Sequence, residues 1–323
     1  MSTILFKRPP SNNKNYFSLL PPGVSVNVGF DIDHEPIDLP FNYENYLVAG
    51  DSSDNRTILL HNLILNGCAA YSPRELLFRL ADCKQGGHEL DDYTKNPIPH
   101  IECVRTNVTP RDLFEFFKEA EILVQERSKH LSEARARHTN RYILNIDEYN
   151  KVAAEVEGLE PIVRTILVVN DVQQAILDCM GESTANSDAI DTVTAQDLTN
   201  LIVNVASRGY FVGVFIVLLA DSCQVRDNYI RLRDNAPYCA DRILFRLNRI
   251  LFRTTAPDTI QVLLRDIHGD ICTEELNAVI PTLPDSDCLY LKDHHQPFRL
   301  HTEEISPQER QKTLAQIRDK YSL

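Results

Sequence analysis

The residues of this sequence with the clearest potential for chemistry lie in the polar stretch "GDSSDNRT", residues 50–57, which follows an apolar strand and precedes an amphipathic segment. Gly50 and Thr57 match the first and last positions of G-x-x-x-x-G-K-[ST], a loop whose backbone N–H groups and lysine hold nucleotide phosphates. Asn55 stands at the second glycine of that pattern and Arg56 at its lysine. The spacing therefore indicates a phosphate-binding loop with altered chemistry.

The same loop carries two carboxylates, Asp51 and Asp54, where a polyphosphate would lie. Like charges at contact distance in a partly desolvated loop repel by energies on the order of kilocalories per mole. Arg56 keeps the positive charge of the lysine, but its guanidinium is bulkier and planar. Two interpretations follow: an altered nucleotide site, or a polar strand-to-helix turn in which Asp54 or Asn55 caps the helix.

The elements that must position this loop alternate between strands and helices. The clearest helix spans 109–134, with Thr109 as N-cap and Pro110 at the first helical position. Alternation of this kind predicts an α/β fold with a largely parallel central sheet. The other predicted helices are 56–67, 197–208 and the C-terminal segment, and the polar segment 181–196 is predicted as a surface loop. Strands are predicted at 24–31, 44–50, 76–82, 101–106, 162–171, 211–220, 241–247 and 287–293.

Composition limits the classes of protein that this chain could represent. A net charge of −13 argues against coating nucleic acid by bulk electrostatics, so any DNA contact needs a local basic face. The eight cysteines form no C-x-x-C pair, which argues against a zinc ribbon and favours a reducing compartment. We see no signal peptide and no apolar run long enough to span a membrane, so a cytoplasmic location is expected. Residues 1–23 read as an extended arm and 24–323 as one domain.

Several further stretches flank the loop in a fixed order. They are "VGFDIDHEPIDL" (28–39), "YSPRELLFRLADCKQGGHELDDY" (71–93), "IPHI" (98–101), "YNK" (149–151), "ASRGYFVGVFIVLLAD" (206–221) and "IRLRDNAPYCADRILFRL" (230–247). In this order and at these spacings, across about residues 27–320, the sequence resembles the motor domain of the FtsK/SpoIIIE-type DNA translocases, which also supplies the ATPase domains of type VII secretion.

The resemblance implies a RecA-like P-loop core that binds ATP and Mg²⁺ and assembles into hexameric rings that engage DNA or, in secretion, protein. It places Asn170 at the Mg²⁺-coordinating aspartate of the Walker B strand, and Asp171 at the glutamate that follows it. Tyr210 falls on an arginine of the family, and Asp221 on its phosphate-sensing glutamine. The degenerate Walker A residues that would bind nucleotide are Gly50, Ser53, Asn55, Arg56 and Thr57.

An arginine-rich stretch follows the last of these motifs. Arg231, Arg233, Arg242 and Arg246 could contact DNA or a neighbouring subunit, or they could form a solvated face. No metal site independent of a nucleotide is expected.

Because most of the chemically demanding positions have changed, the sequence favours a catalytically impaired motor-domain protein, a pseudo-ATPase. It would act as a subunit with itself or with an FtsK-like paralogue in a DNA-translocating or secretion-type assembly. One alternative is an active but divergent ATP-dependent DNA translocase that uses Arg56, Thr57 and Asp171. A second alternative is a DNA-binding module without nucleotide. The sequence does not identify the biological pathway.

Overall fold

The computed structural model describes residues 23–185, 193–235, 247–264, 273–291 and 297–321. Within these ranges the strands are β1 (Val24–Phe30), β2 (Pro36–Phe41), β3 (Tyr46–Gly50), β4 (Leu76–Asp82), β5 (Ile101–Arg105), β6 (Arg164–Asn170), β7 (Val214–Asp221), β8 (Asn248–Phe252), β9 (Asp287–Leu291) and β10 (Phe298–His301). The helices are α1 (Ser53–Ala70), α2 (Asp91–Lys95), α3 (Pro110–Arg137), α4 (Ile146–Glu155), α5 (Val172–Ala185), α6 (Ala195–Gly209), α7 (Ser222–Asn235), α8 (Pro257–Leu263), α9 (Thr273–Val279) and α10 (Pro307–Tyr321). Short 3₁₀ turns lie at Tyr210–Val212 and Ile280–Thr282.

The described strands form one sheet in the order β2-β1-β10-β9-β8-β3-β7-β6-β4-β5. The run from β8 to β5 is parallel, and the strands from β2 to β9 are antiparallel to their neighbours. β3 lies between β7 and β8, and β7 separates β3 from β6. The predicted α/β fold with a largely parallel central sheet is confirmed.

Burial explains why the central strands read as continuous apolar runs. Every residue of β3 is buried, and so are the last six residues of β6 and all but the last of β7, as expected when helices cover both faces of a parallel sheet. One face packs against α3, α5 and α6, and the other against α1 and α10, in a core that the buried side chains of β1 and β2 share. The sheet therefore separates two hydrophobic cores.

The long helix α3 begins where the sequence predicted. Thr109 and Asp112 form a reciprocal capping box, in which the Thr109 side chain accepts from the Asp112 N–H and the Asp112 carboxylate accepts from the Thr109 N–H. Further along α3, the buried Arg127 donates hydrogen bonds to the carbonyl oxygens of Val212 and Gly213 at 3.2 and 3.1 Å. The helix is thus fixed both at its start and against the entry to β7.

β1 contacts β10 through a single residue pair, Phe30 and His301. Elsewhere along this side of β1, a side chain takes the place of a strand. The hydroxyl of Tyr71 accepts from the N–H of Ser25 and donates to its carbonyl oxygen, both at 3.0 Å. The backbone groups of Ser25 are therefore satisfied without a neighbouring strand.

Several predicted boundaries differ from the structure. α5 continues to Ala185 and α6 begins at Ala195, so both ends of the predicted loop 181–196 are helical; residues 186–192 lie outside the described residues. The pattern RILFR occurs twice, at 242–246 and 249–253, and the strand that the structure describes is the second copy. Most of the predicted strand 241–247 lies outside the described residues, as do residues 1–22 of the predicted arm.

Candidate functional site at the carboxyl edge of the parallel strands

The candidate site lies where the parallel strands end. Strand register places Gly50 of β3 beside Asp221 of β7, and Asp82 of β4 beside Asn170 of β6. Because the carboxyl ends of parallel strands meet at one edge of the sheet, residues far apart in sequence come together there. The sequence predicted this convergence for Gly50, Asn170 and Asp221.

The connection between β3 and α1 is shorter than a phosphate loop. β3 ends at Gly50 and α1 begins at Ser53, so the predicted helix start at Arg56 is wrong by three residues. No residue from 51 to 57 has a positive φ. A nest of backbone N–H groups around an anion needs left-handed residues in alternation with right-handed ones. Ser53 and Asn55 are instead part of a regular helical turn.

The helix cap also differs from the prediction. Ser52 is the N-cap of α1, and its side chain makes no capping hydrogen bond. Asp54 and Asn55, which the sequence offered as caps, lie inside the first turn. Asp54 still follows the preference of acidic side chains for a helix N-terminus.

Asp51 ties the connection to two other parts of the chain. One carboxylate oxygen accepts from both the backbone N–H and the hydroxyl of Thr255, each at 2.8 Å, and the other accepts from the hydroxyl of Ser222. The N–H of Asp51 donates to the carbonyl of Arg253 at 3.0 Å. Asp51 therefore connects the β3–α1 turn to the start of α7 and to the segment after β8. Nothing in the sequence pattern pointed to Ser222 or Thr255.

Arg56 points back toward the sheet. Its side chain is 3% exposed, and its guanidinium donates to the carbonyl of Gly50 and, at 3.4 Å, to a carboxylate oxygen of Asp171. A second carboxylate, that of Asp221, lies 3.9 Å from the guanidinium. The positive charge is thus used inside the protein, between the ends of β3, β6 and β7.

Asp171 follows β6 directly and has a φ of 51°, a left-handed conformation that aspartate tolerates better than most residues. Burial raises the pKa of its carboxyl, and the charge of Arg56 works in the opposite direction. The sequence predicted Asp171 and Arg56 as parts of one site, and the structure places them in contact.

Asn170 is engaged with Asp82. Its side-chain amide donates to a carboxylate oxygen of Asp82 at 3.0 Å, and the N–H of Lys84 donates to the same oxygen at 3.0 Å. Burial raises the pKa of Asp82 to about 6. Asp82 is fully buried, and the ammonium of Lys84 pairs with Glu89 rather than with Asp82.

The side chains at the strand ends do not match the ligands that a Mg²⁺–nucleotide complex requires. Mg²⁺ prefers carboxylate and phosphate oxygens in octahedral geometry, whereas Asn170 offers an amide whose nitrogen is directed at Asp82. Within the described residues, no group of three or more His, Cys, Asp or Glu side chains is arranged to hold a metal. Thr57 keeps its hydroxyl, but in a helix that begins four residues before it.

Other predicted site residues lie elsewhere. Tyr210 precedes β7 at the opposite edge of the sheet, where its ring packs against Tyr43 and Phe211. Arg231 and Arg233 are on α7, but their side chains are outside the described part of the structure, as are Arg242 and Arg246 altogether. The predicted arginine surface therefore stays a prediction.

Comparison with known proteins agrees with the resemblance that the sequence motifs indicated. The model of the FtsK/SpoIIIE family matches residues 11–220, more than half of the chain. A search of curated protein sequences found no match. No described helix has the length and apolar character needed to cross a membrane.

Three solved structures share the fold. The cytoplasmic domain of the Thermomonospora curvata type VII secretion ATPase EccC is 18% identical with a TM-score of 0.63, over 98% of this chain and 33% of that chain. EssC (ATPases 2 and 3) from Geobacillus thermodenitrificans is 13% identical with a TM-score of 0.57, over 92% and 49%. The pCW3 conjugation coupling protein TcpA, solved with ATPγS, is 17% identical with a TM-score of 0.57, over 91% and 70%.

This chain thus spans about a third of the EccC chain and half of the EssC chain. At these identities the similarity concerns the fold, while the family match rests on the sequence itself. By that match, this chain belongs to the FtsK/SpoIIIE family.

Proposed function

We propose that this protein is a motor-domain subunit that does not hydrolyse ATP and that serves an FtsK/SpoIIIE-type assembly through its RecA-like surfaces. Its partners would be further copies of itself or an active paralogue, in the cytoplasm. The observation that carries the proposal is the position of Arg56, which is buried, hydrogen-bonded to the carbonyl of Gly50, and ion-paired with Asp171 and Asp221.

Hydrolysis by a P-loop fold depends on groups that stabilise charge in the transition state. A cation must reach the β and γ phosphates, yet here the cation of the loop neutralises the protein's own carboxylates. An anionic ligand must hold Mg²⁺, yet Asn170 is neutral and directed at Asp82. Releasing Arg56 toward a phosphate would leave Asp171 buried without its counter-charge, which costs several kilocalories per mole.

The relatives support the assembly part of the proposal. EccC is a type VII secretion ATPase, the EssC structure comprises ATPases 2 and 3, and TcpA is a conjugation coupling protein whose structure holds ATPγS. This chain shares their fold over 90% or more of its length. A subunit that keeps the scaffold and loses the chemistry would still present the surfaces through which such domains associate.

The test is calorimetric titration of the purified chain with ATPγS, with and without Mg²⁺, together with an ATPase assay with and without DNA. We expect no Mg²⁺-dependent binding in the micromolar range and no DNA-stimulated hydrolysis. Micromolar Mg²⁺-dependent binding, or a hydrolysis rate that disappears in Arg56→Ala, would instead support the divergent translocase.

Arg253→Ala is the matched control for the Arg56 variant. Arg253 is an exposed arginine paired with Asp285 at 2.6 Å, outside the buried cluster. Light scattering of the chain alone, and mixed with an intact FtsK-like paralogue, tests association. If the chain associates neither with itself nor with the paralogue, the proposed role as a subunit of an assembly is contradicted. A DNA affinity that falls steeply with salt would favour the DNA-binding alternative.

A further inference from the structure

A second concave site, which shares no lining residue with the cluster around Arg56, lies where the sheet opens between β1 and β10. Beyond the Phe30–His301 pair, the chain leaves β10 and leads into α10. The space between this segment, β1 and α1 is a cavity of about 490 Å³. Volumes of roughly 300–1,000 Å³ are typical of ligand sites in proteins.

Two carboxamide side chains of α1, the buried Asn62 and the half-buried Asn66, line this cavity. Asn62 on α1 is 5% exposed and lines the cavity. Its side-chain nitrogen donates to the carbonyl of Glu303 at 3.1 Å, and its side-chain oxygen receives no hydrogen bond from any described residue. Asn66, one turn further, uses its nitrogen on the carbonyl of Asn27 at 2.9 Å, which likewise leaves its oxygen without a donor. Both side chains thus offer acceptor oxygens to a donor in the cavity.

The rim of the cavity is acidic. Glu303, Glu304 and Glu309 line it together with one cation, Lys312. Glu309 is engaged, since its carboxylate caps α10 by accepting from the N–H and hydroxyl of Ser306 at 3.0 and 2.7 Å. Glu303 and Glu304 are exposed, and neither side chain pairs with a cation among the described residues. The cavity therefore combines free acceptors below with uncompensated negative charge above.

We propose that this cavity binds a guanidinium group, carried by a small molecule or by an arginine side chain of a partner protein. A guanidinium presents five N–H donors in one plane, so it can satisfy several separate acceptors at once, whereas an ammonium is a compact point charge. Here the acceptors are the oxygens of Asn62 and Asn66 and the carboxylates of Glu303 and Glu304. The proposal is independent of whether nucleotide binds at the strand ends.

The experiment uses the full chain and two probes, agmatine and acetyl-Gly-Arg-Gly-amide, titrated by calorimetry at low salt. We expect saturable binding that weakens as salt is added, because the attraction is largely electrostatic. Similar affinities for the two probes would identify a free small molecule, and a peptide affinity at least tenfold higher would identify a partner protein. Putrescine, which carries ammonium groups alone, should bind at least tenfold more weakly than agmatine, and equal affinity would overturn the assignment to guanidinium.

Variants locate the binding to this cavity. The double variant Glu303→Gln/Glu304→Gln should weaken agmatine binding at least tenfold, while Lys312→Ala should strengthen it about threefold by removing a repulsive charge from the cavity lining. The control Glu274→Gln/Glu275→Gln changes the net charge equally, at adjacent exposed glutamates of α9. Absence of saturable binding, or equal losses in the two double variants, would overturn the proposal. All these positions are exposed, so the variants should fold as the parent does.

Discussion

Arg56→Met provides the sharpest test of how the strand-end cluster is held together. The substitution keeps most of the buried stem and removes the charge. At 3.4 Å and an effective dielectric constant of about 20, the attraction between Arg56 and Asp171 is about 5 kcal/mol, and the lost hydrogen bond to Gly50 adds about 1 kcal/mol. Relief of the guanidinium's desolvation offsets part of this loss, so we expect a net destabilisation of about 3 kcal/mol.

The effect of Arg56→Met should depend on pH in a direction that the structure fixes. Burial already raises the pKa of Asp171, and Arg56 opposes the rise. Without Arg56 the folded-state pKa moves higher, while the unfolded chain ionises near the ordinary value of about 4. Between these two values the folded variant binds a proton that the unfolded chain does not, so its stability falls as pH rises. The deficit against the parent should therefore be largest at pH 8 and shrink toward pH 5.

The assay is equilibrium urea denaturation followed by circular dichroism, since the chain has no tryptophan for fluorescence. Asp171→Asn completes a double-mutant cycle, because asparagine also tolerates the left-handed backbone at this position. We expect a coupling energy of about 2 kcal/mol between Arg56 and Asp171. Arg253→Met, at the exposed pair with Asp285, should cost less than about 0.5 kcal/mol. If Arg56→Met lowers the free energy of unfolding no more than Arg253→Met does, and shows no coupling to Asp171, the ion pair between Arg56 and Asp171 does not stabilise the cluster.

Three further predictions concern the same fold. Burial raises the pKa of Asp82 to about 6, so the contribution of this carboxyl to stability is complete below about pH 4 and is lost as pH rises through 6. The Asp82→Asn variant should therefore gain stability relative to the parent from pH 5 to 8. A difference between variant and parent in urea denaturation that stays constant over this range would contradict the prediction. Gly50→Ala should lower the stability by about 1–3 kcal/mol, since the new Cβ would lie 2.6 Å from that of Phe252, and an unchanged thermal midpoint would show that β8 can move. Thr109→Ala should cost about 1 kcal/mol by urea denaturation through loss of the capping box with Asp112, whereas Thr109→Ser should be near neutral; equal costs would mean that the hydroxyl is not the stabilising group.

Sequence patterns predicted the parallel part of the fold well, because buried strands and capped helices are local signals. β4 has the predicted bounds, Leu76–Asp82, and the Thr109 cap is where the pattern placed it. β2 was missed, since it is a short edge strand with prolines at 36 and 40 that break the usual signal. The strand at the second copy of RILFR was not predicted, although its residues are identical to those of the first copy, which lies outside the described residues.

The proximity of three candidate residues was predictable, whereas the direction of the Arg56 side chain was not. Gly50, Arg56 and Asp171 were assigned to one site, and they are in contact. The direction in which Arg56 points depends on Asp171 and Asp221, which are more than a hundred residues away along the chain. The partners of Asp51 are equally remote, since Ser222 and Thr255 reach it only because β7 and β8 flank β3. Contacts of that kind follow from topology, which no short motif encodes.

The Tyr71 hydroxyl on the inner side of β1 has a consequence for how this protein can join others. An unpaired strand edge is a template for strand addition, by which sheets of separate molecules fuse into aggregates or complexes. Here the edge at Ser25 is already occupied by a side chain of the same molecule. Among the described strands, growth of the sheet is thereby restricted to its two outer margins, β2 and β5.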